Sequence, residues 1–176
     1  MTPVDGRPYK DPNLARGRTV LDEVNVRLLQ ALLDDPRLPT AELARRVELS
    51  GPAVAERLQR LENVGLIAGY RLELNPAGLG RPLAAYIRIR PAPGQIRAIL
   101  ALAERSPQVV ECHRVTGEDH VLLKVQVADT DELTDVVDAF YALGQATTSV
   151  VQCSPIPARA LPLVAPVSPN GRSDVY

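Results

Sequence analysis

The chain has 176 residues, with 20 basic and 21 acidic side chains and a formal net charge of −1. This length allows one large domain or two small ones. The balanced charge excludes an evenly basic surface, so any affinity for a nucleic acid must come from basic residues clustered on one face. Such affinity would be increased by oligomerisation and would depend strongly on salt concentration. No apolar run is long enough to cross a membrane and residues 1–20 contain no signal-peptide core, so we expect a cytoplasmic protein.

The first predicted helix begins after an N-terminal arm. Residues 1–20 contain prolines and scattered charges and are expected to be disordered. Asp22 is the predicted N-cap, and Leu21 and Val26 flank it at the spacing of a hydrophobic staple. The apolar side of this helix continues through Val24, Leu28, Ala31 and Leu32.

A second and a third helix follow, joined by a tight turn. Thr40 is the predicted N-cap of the second helix, which runs to about Glu48, with apolar residues at helical spacing. Glu48 and Leu49 form the turn, and a non-glycine residue in a left-handed turn costs on the order of 1 kcal/mol. Ser50 caps the third helix, whose core-facing stripe is Val54, Leu58 and Leu61.

The other face of the third helix predicts contact with DNA. Small residues at the start of a helix allow its backbone to approach a groove, and an arginine can bind guanine or a phosphate. A solvated amphipathic helix is the alternative. The predicted DNA-binding residues are Arg45, Arg46, Ser50, Pro52, Ala53, Glu56, Arg57, Gln59 and Arg60, and Asn63 lies on the same face.

The third helix is expected to stop near Gly65, and residues 66–74 read as a strand pair or wing with its bend at Gly69. Three helices and a wing predict a winged helix-turn-helix.

The C-terminal half reads as two strand-helix-strand passes. Strands are predicted over residues 83–90, 109–115, 120–127 and 147–153, and helices over 95–104 and 131–143. This order is that of a βαββαβ ferredoxin-like domain, and the fold class is therefore α+β. Because two helices cover only one face of such a sheet, we expect the other face to mediate dimerisation.

The chain resembles the Lrp/AsnC, or feast/famine, transcription regulators over roughly residues 20–160. The resemblance rests on the segments LDEVNVRLLQALL, ELARRVELS, ERLQRLE, GLIAGY and VVECHRVTGEDHVLLKV in that order. It implies double-stranded DNA as partner, a homodimer that assembles to a tetramer or octamer, and an amino-acid or related effector. Three residues depart from the family pattern: Asn25 stands where a second Asp is usual, Glu48 where Gly is common, and His120 where an Asp is usual.

The resemblance marks the turn segment Thr116, Gly117, Glu118, Asp119 and His120 as the effector site. Physically, a glycine-centred turn presents backbone N–H groups to a carboxylate, and an acidic side chain can bind an ammonium. An ordinary charged hairpin tip is the alternative. Gln152 and Ser154 on the last strand are candidates for a further pocket wall.

Cys112 and Cys153 are placed on opposite edges of the predicted sheet, so a disulfide between them is implausible and buried free thiols are expected. A metal site of Cys112, His113, His120 and Cys153 is the alternative, but the spacing lacks a zinc signature. We predict no metal and no cofactor.

The predicted domains are an arm (1–20), a winged helix-turn-helix (21–75), a linker (76–82), a ferredoxin-like regulation and assembly domain (83–160) and a flexible tail (161–176). In the arm, the Arg16-Gly17-Arg18 triplet either contacts phosphate or a minor groove, or is simply solvated.

Together these features predict a DNA-binding transcriptional regulator modulated by a small molecule. An architectural DNA-bundling protein is the alternative, and a ferredoxin-like enzyme is a further one for which no catalytic motif is present.

Overall fold

The computed structural model describes residues 21–163, and the chain forms two compact units. Of the described residues, the first unit contains 21–72 and 158–163, and the second is Glu73–Pro157. This division differs from the predicted domains, because the described part of the predicted tail belongs with the N-terminal helices. The predicted arm and its Arg16-Gly17-Arg18 triplet lie outside the described residues.

Three helices form the first unit: α1 (Glu23–Asp34), α2 (Thr40–Val47) and α3 (Gly51–Asn63). The Asp22 side chain caps α1 by accepting a 2.7 Å hydrogen bond from the Asn25 backbone N–H. Glu48 adopts the predicted left-handed conformation between α2 and α3, with φ 58° and ψ 41°. The core between the helices contains Leu28, Leu43, Val47 and Val54.

The start of α2 differs from the prediction. Pro39 is its N-cap residue and makes no side-chain capping bond, and Thr40 is already helical. The fixed φ of proline suits a helix start, so the chain enters the helix one residue early.

No strand is present between α3 and the second unit in the described chain, so the predicted wing strands do not form within one copy. A strand needs a hydrogen-bonding partner, and this segment has none. It leaves Tyr70, Leu72 and Leu74 exposed by 57%, 81% and 55%.

The second unit begins with a short 3-10 helix, Pro76–Leu79. Its strands and helices then follow in the predicted βαββαβ order: β1 (Leu83–Pro91), α4 (Ile96–Arg105), β2 (Val109–Arg114), β3 (Val121–Val127), α5 (Thr130–Tyr141) and β4 (Gly144–Val150). All neighbouring strands are antiparallel, and the sheet order is β2-β3-β1-β4. One sheet face packs in the core of this unit with Ile99, Leu133 and Phe140 of the two helices.

The last strand was predicted three residues too late, at 147–153 instead of Gly144–Val150. Asp129 caps α5 by accepting from the N–H groups of Asp131 and Glu132, so the helix starts and ends early. Gly144 can then lie directly against β1, where a Cβ would come within 2.9 Å of the Pro91 Cα. The absence of a side chain at Gly144 therefore sets where β4 begins.

No helix within residues 21–163 is long and apolar enough to cross a membrane.

Candidate DNA interface and effector site

Helix α3 has a buried back and an exposed front. Val54 and Leu61 are fully buried, which confirms the predicted core stripe. The Ser50 hydroxyl caps the helix by accepting a 3.4 Å hydrogen bond from the Ala53 N–H. The exposed front contains Pro52, Glu56, Gln59, Arg60 and Asn63.

Arg60 is the arginine of this front that is available to a ligand. Its side chain makes no hydrogen bond or ion pair with another residue of the described chain. Its neighbour Gln59 donates a 3.2 Å hydrogen bond to Asn63 within the same helix. An uncommitted guanidinium beside planar amides suits contacts with bases and phosphates.

The other predicted arginines are engaged inside the unit. Arg45 and Arg46 of α2 both form ion pairs with Glu42, with 3.3 Å between Arg46 Nε and Glu42 Oε1. Both arginines stay exposed, so a phosphate can displace these weak surface pairs.

Arg57 is held more firmly. Its Nη1 lies 2.6 Å from Asp22 Oδ2 and 3.0 Å from Asn25 Oδ1, and it thereby joins α3 to the start of α1. Burial raises the pKa of the Asp22 carboxyl, but the hydrogen bonds from Arg57 and from the Asn25 backbone outweigh burial, so the net pKa is lowered. The sequence pattern placed Arg57 among the DNA-binding residues and did not reveal its partners, because the contact spans more than 30 residues.

The predicted effector loop lies between β2 and β3. A 3.0 Å hydrogen bond from the Val115 N–H to the His120 carbonyl closes it. The backbone N–H groups of residues 116–119 donate no hydrogen bond to any described residue. Gly117 has φ 111°, a conformation that L side chains rarely adopt. The loop therefore offers free donors at its tip.

Two arginines of β1 meet the acidic residues of this loop. Arg90 is ion-paired with Glu118, and Arg88 Nε lies 4.0 Å from Asp119 Oδ2. Both acids therefore already have a positive partner within the chain. Sequence reasoning missed Arg88 and Arg90, although the alternation of β1 placed them on one face.

Gln152 and Ser154 lie at the other end of the sheet. They follow Val150, which pairs with Ala85 near the start of β1, whereas Arg88 and Arg90 lie toward its end. Within one chain these two residues therefore do not line the effector loop. The β4 residues beside the arginines are instead Thr147, paired with Arg88, and Gln145, paired with Arg90.

The open face of the sheet is polar. Lys124 donates a 3.0 Å hydrogen bond to Glu111, which lowers the pKa of the Glu111 carboxyl and raises that of the Lys124 ammonium. His113 Nε2 lies 3.3 Å from the same carboxyl. Tyr86 lies on the same face, opposite Lys124.

The expectation of buried thiols is wrong, because both cysteines are free but exposed. Cys112 lies on the edge strand β2, which has only one neighbour, and Cys153 lies beyond β4, where no strand covers it. No group of three or more His, Cys, Asp or Glu side chains within residues 21–163 is arranged to hold a metal ion.

Comparisons with known proteins match both units. The AsnC-type helix-turn-helix domain matches residues 21–62, and the Lrp/AsnC ligand binding domain matches residues 84–161. The leucine-responsive regulatory protein of Salmonella typhimurium is 37% identical over 70% of this chain and 71% of its own. The uncharacterized regulator YezC of Bacillus subtilis is 34% identical over 76% of this chain and 95% of its own.

Solved structures agree with these sequence matches. A transcriptional regulator from Neisseria meningitidis in complex with L-Met superposes with a TM-score of 0.74 at 29% identity, over 81% of this chain and 96% of that one. The feast or famine regulatory protein from M. tuberculosis, complexed with L-methionine, gives 0.73 at 30% identity, over 80% and 98%. These relatives are regulators and not enzymes. The chain therefore belongs to the Lrp/AsnC family of DNA-binding transcriptional regulators.

Proposed function

We propose that this regulator reads a pseudo-palindromic operator with the exposed front of α3. The observation that supports this proposal is the guanidinium of Arg60, which has no partner within the described chain. It lies on an exposed helix face without large apolar side chains. The small residues Pro52 and Ala53 allow the start of α3 to approach the groove, and Glu56 and Gln59 supply groups for base edges. Ser50, Arg45 and Arg46 lie where phosphate contacts would fix the orientation of α3.

Two copies assemble through the open face of the sheet, and dimers associate further to a tetramer or octamer. The face is uncovered in one chain, and Glu111, His113 and Lys124 provide charges of both signs for a symmetric contact. Assembly compensates for the lack of net positive charge, because two half-sites bound by one dimer gain an effective-concentration advantage on the order of 10² or more.

The effector is an amino acid or a related small molecule bound at Thr116, Gly117, Glu118, Asp119 and His120. The L-methionine in two structural relatives supports this class of ligand. The free N–H groups of the loop suit a carboxylate. An ammonium must compete with Arg88 and Arg90 for the two acids, and His120 adds no fixed negative charge, so the ligand is not a simple aliphatic amino acid.

A footprint on DNA from the region around its own gene, with each amino acid added in turn, tests the proposal. A regulator protects a short pseudo-palindromic site, and its effector changes the protection. An architectural protein protects DNA broadly and ignores every amino acid. Broad, effector-independent protection would replace the proposed function with that alternative.

Assembly is tested by ending the chain after Pro82. The shortened protein also lacks residues 158–163 of the first unit, and it should bind a full operator at least 100-fold more weakly than the whole chain, mainly for the effective-concentration reason above. Undiminished affinity of a monomer would show that the sheet unit does not organise binding.

A further inference from the structure

An apolar groove on the helix-turn-helix unit is lined in part by residues from a distant part of the chain. The groove has a volume of about 330 Å³, and Leu29, Leu33, Pro36 and Leu66 line it. Ala160, Leu161 and Leu163 contribute from the C-terminal side. The chain thus leaves the first unit at Leu72, builds the whole sheet unit, and returns to the first unit at Ala158.

Leu163 is the residue that packs. It is half-buried against the small cluster of Leu29 from α1 and Leu61 from α3, and Leu61 is fully buried. Leu161, two residues earlier, is 87% exposed although it borders the same groove. The contact therefore rests on one side chain, and its neighbour provides a natural control.

The position of Leu61 links this contact to DNA binding. Leu61 lies on the buried back of α3, directly behind the helix front that contains Arg60. At the N-terminus of α1, the Arg57 bond to Asp22 also joins α3 to α1. A helix of 13 residues gains most of its stability from packing and not from intrinsic propensity, so each such contact affects its placement.

We propose that residues 158–163 form a strap that completes the DNA-binding unit, with Leu163 as a positioning residue for α3. This segment of the same chain packs against α1 and α3 through Leu163 and forms one wall of the groove. The βαββαβ unit is thereby inserted in sequence between two parts of the DNA-binding unit and is joined to it by two covalent connections. A measurement of the local stability of α1 and α3 tests whether the strap forms. Its effect on DNA binding, in contrast, rests on the proposed function of α3 as the reading helix.

The test compares Leu163→Ala with Leu161→Ala in the full chain. Amide hydrogen exchange reports the local stability of α1 and α3, and titration with operator DNA over a range of salt reports binding. Leu163→Ala should accelerate exchange at the amides of Leu29 and Leu61 by about tenfold, since it removes most of a half-buried leucine side chain. It should also weaken operator binding severalfold at an unchanged salt slope, because no phosphate contact is lost. Leu161→Ala should change neither quantity.

Equal exchange rates in wild type and Leu163→Ala would overturn the strap. Faster exchange with unchanged operator affinity would overturn the positioning role. If Leu163→Ala unfolds the unit, Leu163→Met, which conserves volume, should restore both folding and binding, and failure to do so would also overturn the proposal. If Arg60→Ala does not affect binding, the proposed reading face is wrong, and the exchange comparison still decides the strap.

Discussion

Arg57 of α3 donates a 2.6 Å hydrogen bond to Asp22, the residue that caps α1. The same carboxyl group thus caps one helix and anchors another. Because the guanidinium also contacts the Asn25 side chain, Arg57 orients α3 from within the protein, whereas Arg60 faces outward. Substitution of Arg57 should therefore lower stability, whereas substitution of Arg60 should lower DNA binding.

Arg57→Ala should lower the stability of the helix-turn-helix unit by about 1 kcal/mol, because a partly exposed charged hydrogen bond is screened by solvent. The thermal midpoint should fall by about 4–8 °C for a unit of this size. A double-mutant cycle with Asp22→Asn isolates the pair, and additive effects would contradict the coupling.

The Asp22 carboxyl also predicts a pH dependence. Its folded pKa is lowered from 3.8, so its contribution is fully present above that value and is lost as the pH falls through the folded pKa. Denaturation of wild type and Asp22→Asn from pH 6 down to about pH 2 should show a stability difference that shrinks with acid. A constant difference would mean that the charge of Asp22 does not stabilise the fold.

Arg60→Ala should weaken specific operator binding by roughly 1–3 kcal/mol per subunit contact and leave stability and assembly intact. Arg27→Ala is the matched control, since Arg27 is an exposed arginine of α1 in the same unit. Titrations of both variants over a range of salt decide the matter. If Arg60→Ala leaves affinity and salt slope unchanged, or if Arg27→Ala has the same effect, α3 does not read DNA through this front.

His120→Asp should raise the affinity for at least one common amino acid by about 1–2 kcal/mol, because a carboxylate can pair with an ammonium that is partly shielded from water. The imidazole of His120 supplies no fixed negative charge, so wild-type binding of simple amino acids should be weak. Calorimetry against a panel of amino acids measures this. His120→Asn, which removes the imidazole without adding a charge, is the control. Tight wild-type binding unaffected by His120→Asp would place the ammonium elsewhere.

Gly144→Ala should destabilise the sheet unit by about 1–3 kcal/mol, because the new Cβ meets the backbone of Arg90 and Pro91 at less than 3 Å. Gly78→Ala is the control, since the nearest atom to a Cβ there is 4.0 Å away. Urea denaturation of the two variants provides the comparison, and equal stability would mean that β1 and β4 can separate without cost.

Periodicity and capping residues predicted the three N-terminal helices and the βαββαβ order, because each signal lies within a few residues. The errors arose where distant residues decide the outcome. The start of β4 depends on the backbone of β1 beside Gly144, and the pairing of Glu118 and Asp119 depends on β1 lying next to β3. The predicted wing strands are absent from the described residues, because a strand also needs a neighbour to pair with, which a local pattern cannot reveal.

The return of the chain to its first unit also affects how the protein can be handled. Leu163 packs on the helix-turn-helix unit, so a tag or reporter inserted directly after it is tethered beside α1 and α3. A bulky fusion there can reduce DNA binding without any fault in effector sensing. Insertion at the 3-10 helix Pro76–Leu79, whose residues are all exposed, attaches the reporter to the sheet unit instead.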